Sequence, residues 1–168
     1  YFPIDLFLGM EVYATDNVAA LIKRGKIITL NRSRYLLIEF PFSCHPRWAA
    51  KILSSVSKLG ITPIIAHPER YPFIWEQPNI LYDWVNCGSL VQMNRSSLFG
   101  SFGQNAKDLA LQLLSHHLVH FVASDCHSAS VRTPFLPNAY NLISDLYSDE
   151  YAHTLLHGNP QKVIADKP

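Results

Sequence analysis

Charged residues are scarce in this chain of 168 residues: they make up 16% of the sequence, and the formal net charge is only +1. That balance provides no basic surface of the kind that polyanions attract, so nucleic-acid binding is not expected. Hydrophobic residues make up 48% of the chain. This content excludes intrinsic disorder and predicts one ordinary globular domain with a sizeable core.

Cysteine is also sparse, and long apolar runs are missing. Cys44, Cys87 and Cys126 are odd in number and lack the spacing of a zinc site, which predicts reduced thiols and a cytoplasmic location. No apolar run approaches the length of a membrane span, and no signal-peptide pattern is visible. Because the chain starts at Tyr1, inside an apolar segment and without a methionine, we expect it to be a fragment.

Strand and helix patterns alternate along the chain at a spacing of about 28 residues, close to one βα unit of a barrel. Apolar strands that alternate with amphipathic helices indicate parallel strands covered by helices, and therefore an α/β fold. The predicted strands are 7–12, 35–40, 62–66, 89–93 and 119–124. The predicted helices are 46–59, 80–86, 105–115, 138–147 and 149–156.

Side chains that commonly bind metals lie within or just after the predicted strands. They are Glu11, Glu39, His67, Asp125 and His127. Ionised groups in such places are costly to bury unless they have partners, and one metal ion satisfies several at once. Carboxylates and imidazoles without cysteine suit manganese, iron or zinc in a hydrolytic site. Asp125 and His127 are two positions apart, so an extended segment would place both side chains on one side.

Each of these residues has a simpler interpretation when it is taken alone. A histidine at a strand end, such as His67, is often a core or capping residue. Glu39 could pair with Arg34 or Arg70, and Asp125 could cap a turn or a helix. The placement of all five at the same end of successive strands favours an active site, because catalytic residues collect there in α/β barrels.

Two arginines follow the two histidines closely, which favours a phosphate ester as substrate. Arg70 comes three residues after His67, and Arg132 comes five after His127. Arginine binds phosphate through two parallel hydrogen bonds, although either residue alone could form a surface salt bridge. The glycine-containing segment 97–103 precedes a helix, but it lacks the spacing of known phosphate loops. We therefore expect a plain loop with two exposed aromatic side chains there.

Four segments resemble the bacterial tyrosine-protein phosphatases of the polymerase-and-histidinol-phosphatase (PHP) superfamily, which serve capsular and exopolysaccharide synthesis. They are 9–12, 30–41, 60–70 and 119–127, in that order. The sequences Ile-Ala-His-Pro-Glu-Arg and Ala-Ser-Asp-x-His are the most specific parts. The resemblance implies a distorted (β/α) TIM-like barrel, with a centre of up to three metal ions where the strands end.

The same resemblance assigns roles to the residues singled out above. Glu11, Glu39, His67, Asp125 and His127 would bind Mn²⁺, with iron or zinc as alternatives. Arg70 and Arg132 would hold the phosphate of phosphotyrosine, on a protein such as the tyrosine-rich tail of a bacterial tyrosine kinase. The resemblance also implies that hydroxide attacks phosphorus directly, without a phosphoenzyme.

One part of the family pattern is absent. The family begins with a strand bearing a His-x-His pair, followed by an acidic residue and another histidine, and none of these precedes Glu11. About 70 residues, or two βα units, would therefore be missing. We expect residues 1–168 to be the C-terminal part of a single PHP-type domain that binds fewer ions. Its unclosed sheet edge predicts self-association, which a monomeric solution mass would contradict.

Three alternatives remain open at this point. Cys126 and Arg132 have the Cys-x5-Arg spacing of a cysteine phosphatase, but the residues between them include no glycine and an acid precedes the cysteine. The chain could instead be a binding or regulatory fragment with a decayed metal site, since the first histidines are absent. It could also be part of a PHP hydrolase of a small phosphate ester, such as histidinol phosphate.

Overall fold

In a computed structural model, which describes residues 4–168, five parallel strands form one sheet. The strands are β1 (Glu11–Tyr13), β2 (Tyr35–Glu39), β3 (Thr62–Ala66), β4 (Leu90–Asn94) and β5 (Phe121–Ala123). They lie side by side in chain order, β1-β2-β3-β4-β5, and every neighbouring pair is parallel. Because every connection leads to the adjacent parallel strand, the polar residues that follow the strands lie together along the carboxyl ends of the strands. The predicted α/β fold is confirmed.

Short helices connect and cover these strands. They are α1 (Val18–Lys23), α2 (Pro46–Ser57), α3 (Pro72–Glu76), α4 (Asn79–Asn86), α5 (Arg95–Leu98), α6 (Gln104–Ser115), α7 (Pro137–Leu146), α8 (Asp149–His153) and α9 (Asn159–Ile164). A π-helical segment, Thr154–Gly158, joins α8 to α9, and 3-10 turns span Leu30–Arg32 and Pro68–Arg70.

Helix α2 shows how local sequence sets these boundaries. His45 caps the N-terminus, where its Nδ1 accepts a hydrogen bond from the Arg47 N–H at 3.2 Å. Pro46 occupies the first turn, where its missing N–H costs nothing. After the helix ends at Ser57, Gly60 takes a positive φ of 76°, which reverses the chain into β3 at little steric cost.

Both faces of the sheet are apolar, because successive strand residues point to opposite sides. The larger core cluster lies on one face and includes Leu36, Ile38 and Ile65 packed with buried residues of the helices. On the other face, Tyr35 and Ile64 belong to a smaller cluster with Phe121 and Val163. The sheet is thus buried on its helical side and holds a shallower apolar layer on the other.

Several element boundaries differ from the sequence predictions. The first strand was expected over 7–12 but pairs with β2 only at Glu11–Tyr13, and the side chains before it, such as Leu6 and Leu8, are exposed. Strand β5 covers three residues instead of the six expected. Helices α1, α3 and α5 were not predicted, because they are too short to display an apolar period.

The sheet of residues 4–168 is open, with β1 and β5 at its two edges and no pairing between them. An open edge was expected of an incomplete barrel, but these five strands alone do not confirm that the fold is a TIM-like barrel. In the same range of residues, no helix combines the length and the apolar character needed to cross a membrane.

We predict that Tyr71→Phe lowers the free energy of unfolding by about 1–3 kcal/mol, the cost of leaving buried backbone groups without partners. The buried Tyr71 hydroxyl donates to the Ala66 carbonyl at 2.8 Å and accepts from the Phe40 N–H at 3.0 Å. It thereby connects the ends of β2 and β3. Urea denaturation measures the change, and Tyr82→Phe is the control because that side chain is 52% exposed. Equal midpoints for the two variants would contradict this role.

Candidate active site

Three of the predicted metal ligands meet at the end of β3. Nε2 of His67 lies 3.3 Å from Oε1 of Glu11 and 3.4 Å from Oε1 of Glu39. One ligand atom from each residue can be chosen so that all three lie within 4.8 Å of one another. His67 is buried, whereas the two carboxylates are partly open to solvent. Three strands that are neighbours in the sheet therefore supply one compact set of donor atoms.

The position of His67 depends on an uncommon backbone conformation. The residue has φ 34° and ψ 54°, in the left-handed region, and its N–H donates to the Gln92 carbonyl at 2.7 Å. Pro68 follows and begins a 3-10 turn that ends at Arg70. Such conformations persist where surrounding structure holds them, and they cluster at functional sites. The turn directs the imidazole toward the two glutamates as soon as the strand ends.

The donor chemistry of this trio fits a divalent metal ion. The hydrogen bond with His67 is the main influence that lowers the pKa of Glu11, against the opposing effect of partial burial. Two carboxylates then share a single imidazole nitrogen, an arrangement in which a cation would relieve their mutual repulsion. Two carboxylate oxygens and one imidazole suit manganese, iron or zinc.

Asp125 lies at the centre of a second group of polar side chains. Its Oδ2 accepts hydrogen bonds from Nη2 of Arg132 and, at 2.7 Å, from Nδ2 of Asn94. Nη1 of Arg70 lies 4.0 Å from the same oxygen. The structure thus brings both predicted phosphate-binding arginines to one carboxylate, at the loop that follows β5.

The backbone around Asp125 differs from the sequence prediction. We expected an extended segment, but Asp125 has φ 48° and the chain turns there. Asp125 and His127 still lie together, since Nδ1 of His127 is 2.8 Å from the Asp125 carbonyl and 3.4 Å from its Oδ1. The expected geometry was wrong because the period of an extended strand does not continue through a turn.

The five predicted ligands therefore form two adjacent groups. The first is the trio of Glu11, Glu39 and His67, and the second contains Asp125 and His127 with the arginines. Electrostatic interactions with His127 and Arg132 also lower the pKa of Glu11, so the two groups lie close enough to interact.

The simpler interpretation of Glu39, as the partner of Arg34, does not apply. Arg34 is paired with Asp166, with its Nε 3.1 Å from Oδ1 of that residue. The Glu39 carboxylate instead faces His67, where it contributes to the metal-binding trio.

Two phenylalanines that the sequence analysis did not assign to the site hold the arginines. The guanidinium carbon of Arg70 lies 4.2 Å from the ring centroid of Phe102 and 5.1 Å from that of Phe42. Arg132 approaches the ring of Phe102 to 5.7 Å. Segment 97–103 was expected to be a plain loop with two exposed aromatic side chains. Its first two residues instead belong to α5, and Phe99 is exposed whereas Phe102 is half-buried. Stacking on a ring orients the guanidinium plane and leaves its N–H edges available.

The loop of the Cys-x5-Arg sequence is not arranged as a phosphate cradle. Ser128 Oγ lies within hydrogen-bond reach of three successive backbone N–H groups, with the N–H of Val131 at 3.0 Å. The N–H of His127 donates to the Arg132 carbonyl at 2.9 Å. Because these amides are engaged within the loop, they do not surround the exposed Cys126 sulfur. This geometry provides no support for a cysteine nucleophile.

Glu69 is a further member of the site region, and the sequence analysis gave it no role. Its side chain is completely buried, and that burial raises the pKa of the carboxyl group. Hydrogen bonds from the Ser97 hydroxyl and the Asn94 N–H act in the opposite direction. The sequence carries no signal of this role, because the burial of an acid in a turn cannot be read from the periodicity of apolar residues.

Sequence comparison places this architecture among known proteins. The family profile described as capsular polysaccharide synthesis, CpsB/CapC, matches residues 1–165. The chain belongs to the CpsB/CapC family. CapC of Staphylococcus aureus is 39% identical over 138 residues, which are 82% of this chain and 54% of CapC. Tyrosine-protein phosphatase YwqE of Bacillus subtilis is 34% identical over 153 residues, 91% of this chain and 60% of YwqE.

Structural comparison agrees with this assignment to the CpsB/CapC family. The chain matches a crystal structure from work on YwqE of Bacillus subtilis and CpsB of Streptococcus pneumoniae. That work describes these two proteins as unique metal-dependent tyrosine phosphatases. The TM-score is 0.88 at 32% sequence identity, and the match covers 95% of this chain and 64% of that one. This CpsB/CapC chain spans 54% and 60% of the lengths of CapC and YwqE. The resemblance predicted from the sequence is confirmed at the level of the family.

Proposed function

We propose that this chain carries the metal-binding and phosphate-binding groups of a metal-dependent protein-tyrosine phosphatase that acts in capsular or exopolysaccharide synthesis. One observation carries the proposal: a trio of metal-type ligands lies beside two arginines that converge on Asp125. The names of the relatives support this activity, since YwqE and CpsB are called tyrosine-protein phosphatases. The proposed substrate is a phosphotyrosine protein, such as the tail of a bacterial tyrosine kinase.

Metal binding is assigned to the acids and histidines of the site. Glu11, Glu39 and His67 would hold one ion, and Asp125 and His127 would contribute to further ions. Mn²⁺ is the proposed metal, with iron or zinc as alternatives that the same donor set accepts. When bound, such ions would stabilise negative charge on the phosphoryl oxygens and lower the pKa of a bound water. His67 is held in place because its side chain is buried and its backbone N–H donates a hydrogen bond to the Gln92 carbonyl.

Phosphate binding is assigned to Arg70 and Arg132. Their guanidinium groups present paired N–H donors that match two phosphate oxygens, and they remain charged at any relevant pH. Phe102 packs against both groups and fixes the planes in which they donate. A phosphate would take the place of Asp125 Oδ2 as the partner of both guanidinium groups and would then lie next to the metal-binding trio.

We further propose that the five strands belong to a distorted (β/α) barrel of the PHP type, as parts of a single domain. Consecutive parallel strands in chain order are typical of such barrels, whereas a doubly wound sheet reverses its order at a switch point. We also propose that the chain self-associates through the open sheet edges of β1 and β5.

The experiment that tests the proposed activity measures phosphate release from a tyrosine-phosphorylated peptide. The purified chain is stripped with a chelator and assayed with and without added Mn²⁺, beside a phosphoserine peptide and histidinol phosphate. We expect release that depends on Mn²⁺ and is largest for phosphotyrosine. Preference for histidinol phosphate would favour a hydrolase of small esters. Absence of both Mn²⁺ binding and turnover would identify a fragment with a decayed site.

Cys126→Ser should leave phosphate release within about twofold of the unchanged chain, because the proposed chemistry uses no thiolate nucleophile. The same peptide assay, at saturating Mn²⁺, measures the effect. Cys87→Ser is the matched control, since that cysteine is also exposed and lies outside the site. Complete loss of activity in the Cys126 variant alone would favour the cysteine-phosphatase alternative.

A further inference from the structure

Glu69 connects the turn after β3 to the end of β4. It lies between His67 and Arg70 in sequence, but its side chain points into the protein and is completely buried. Oε1 of Glu69 accepts hydrogen bonds from the Ser97 hydroxyl at 2.6 Å and from the Asn94 N–H at 3.1 Å. Glu69 lies between the proposed metal ligand and the proposed phosphate-binding arginine, and its side chain is hydrogen-bonded to the junction of β4 and α5.

Asn94 extends this connection to the loop after β5. Its side chain is completely buried, and its Oδ1 accepts a hydrogen bond from Nε2 of Gln92 at 3.0 Å. Its Nδ2 donates to Oδ2 of Asp125 at 2.7 Å. That carboxylate also binds Arg132 and lies beside Arg70. One hydrogen-bonded network therefore runs from the turn after β3, through the end of β4, to the centre of the arginine group.

The two loops that this network connects each contain a residue with an uncommon backbone conformation. His67 has φ 34° and Asp125 has φ 48°, and non-glycine residues keep such angles only where their surroundings hold them. A buried carboxyl group is a costly way to fill space, since an apolar side chain would pack there without loss of hydration. The cost indicates that the hydrogen bonds themselves matter at this position.

We propose that Glu69 is a positioning residue: through Ser97 and Asn94 it fixes the distance between the metal-binding trio and the two arginines. This inference rests on the proposed phosphatase function. Metal and arginine groups must hold one phosphate at the same time, and misplacement by about 1 Å costs roughly 100-fold in rate. Within residues 4–168, the Glu69 carboxyl group hydrogen-bonds to Ser97 and Asn94 and not to the trio or to the guanidinium groups. It acts by placing His67 and Arg70, on either side of it, relative to Asp125.

The test measures the affinity of the chain for inorganic phosphate at saturating Mn²⁺, by calorimetry, together with the melting temperature of each variant. Glu69→Ala removes both hydrogen bonds. We expect phosphate affinity to fall about 10- to 100-fold, the range typical of replacing residues that orient metal ligands through hydrogen bonds. Glu69→Gln keeps the accepting oxygen and should restore affinity to within about threefold. Glu76→Gln is the control, because Glu76 is exposed on the nearby helix α3.

A role in folding alone would lower the melting temperature of Glu69→Ala and leave the phosphate affinity of the folded chain unchanged, and that result would overturn the proposal. If Glu69→Ala does not fold, Ser97→Ala decides, because it removes one donor to Glu69 and leaves the carboxyl group in place. We expect it to weaken phosphate binding several-fold, and an unchanged affinity would again overturn the proposal.

The readout separates this proposal from the proposed activity. Loss of phosphate affinity in Glu69→Ala, in a chain that does not hydrolyse phosphotyrosine, supports the positioning role and contradicts the activity. Full phosphate affinity in the same variant, beside Mn²⁺-dependent hydrolysis by the unchanged chain, contradicts only the positioning role. Failure of the unchanged chain to bind phosphate at saturating Mn²⁺ overturns both.

Discussion

His67→Asn should reduce the affinity of the chain for Mn²⁺ by more than about 100-fold. Replacing a residue that only hydrogen-bonds to a metal ligand typically costs roughly 10- to 100-fold, and His67 is a proposed ligand itself. The imidazole lies within 3.4 Å of both glutamates, so its removal leaves two carboxylates facing each other. Asparagine is the suitable replacement because it tolerates the left-handed backbone that His67 adopts. Calorimetric titration with Mn²⁺ and elemental analysis of the purified protein measure the change.

His153→Asn is the matched control, because His153 is exposed on α8, away from the trio of Glu11, Glu39 and His67. The melting temperature of each metal-free chain shows whether the variant still folds. A second variant, Glu39→Gln, removes a charge from the partly exposed rim of the same trio and should also weaken binding. Mn²⁺ affinity that is equal in all three variants would place the metal elsewhere.

The trio could be predicted from the sequence because its members are tied to strands. Glu39 ends an apolar run, and His67 follows another. Parallel neighbours bring their carboxyl ends to one edge of the sheet, so identifying the strands was enough to predict that these side chains meet. Glu11 is an exception, because it begins β1 and does not end it. It still joins the trio, since its pairing with Leu37 places it beside the end of β2.

The arginine group could be predicted only in outline. The placement of Arg70 and Arg132 after the two histidines indicated phosphate binding, but their convergence on Asp125 depends on a turn with φ 48°. No local signal in Ala-Ser-Asp-Cys-His specifies that turn, because its conformation is set by contacts with Asn94 and Arg132 from other parts of the chain. Tertiary contacts of this kind leave no period in the sequence.

The roles of Phe102 and Glu69 depend on contacts that the sequence does not reveal. Phe102 lies in a loop with no regular spacing, so neither its partial burial nor its contact with Arg70 could be derived. Glu69 looks like an ordinary turn residue, and its burial follows from how the turn after β3 packs on the β4–α5 junction. Both residues act through side chains that approach from elements distant in sequence.

Arg70→Met should lower kcat/KM for a phosphotyrosine peptide by about 100- to 1000-fold, the usual cost of removing one preorganised donor to a reacting group. Methionine keeps an unbranched apolar stem but lacks the charge, the N–H groups and the guanidinium that lies over Phe102. The same variant should weaken the binding of inorganic phosphate at saturating Mn²⁺. Arg47→Met is the control, since Arg47 is exposed near the start of α2.

Arg70→Lys separates charge from geometry at this position. Lysine restores the positive charge but not the planar group that lies 4.2 Å from the ring of Phe102 or its paired donors. We therefore expect Arg70→Lys to recover only a small part of the activity that Arg70→Met loses. Full recovery would mean that Arg70 acts as a simple charge and that its stacking on Phe102 has no part in catalysis. Normal phosphate affinity in Arg70→Met would remove Arg70 from the site altogether.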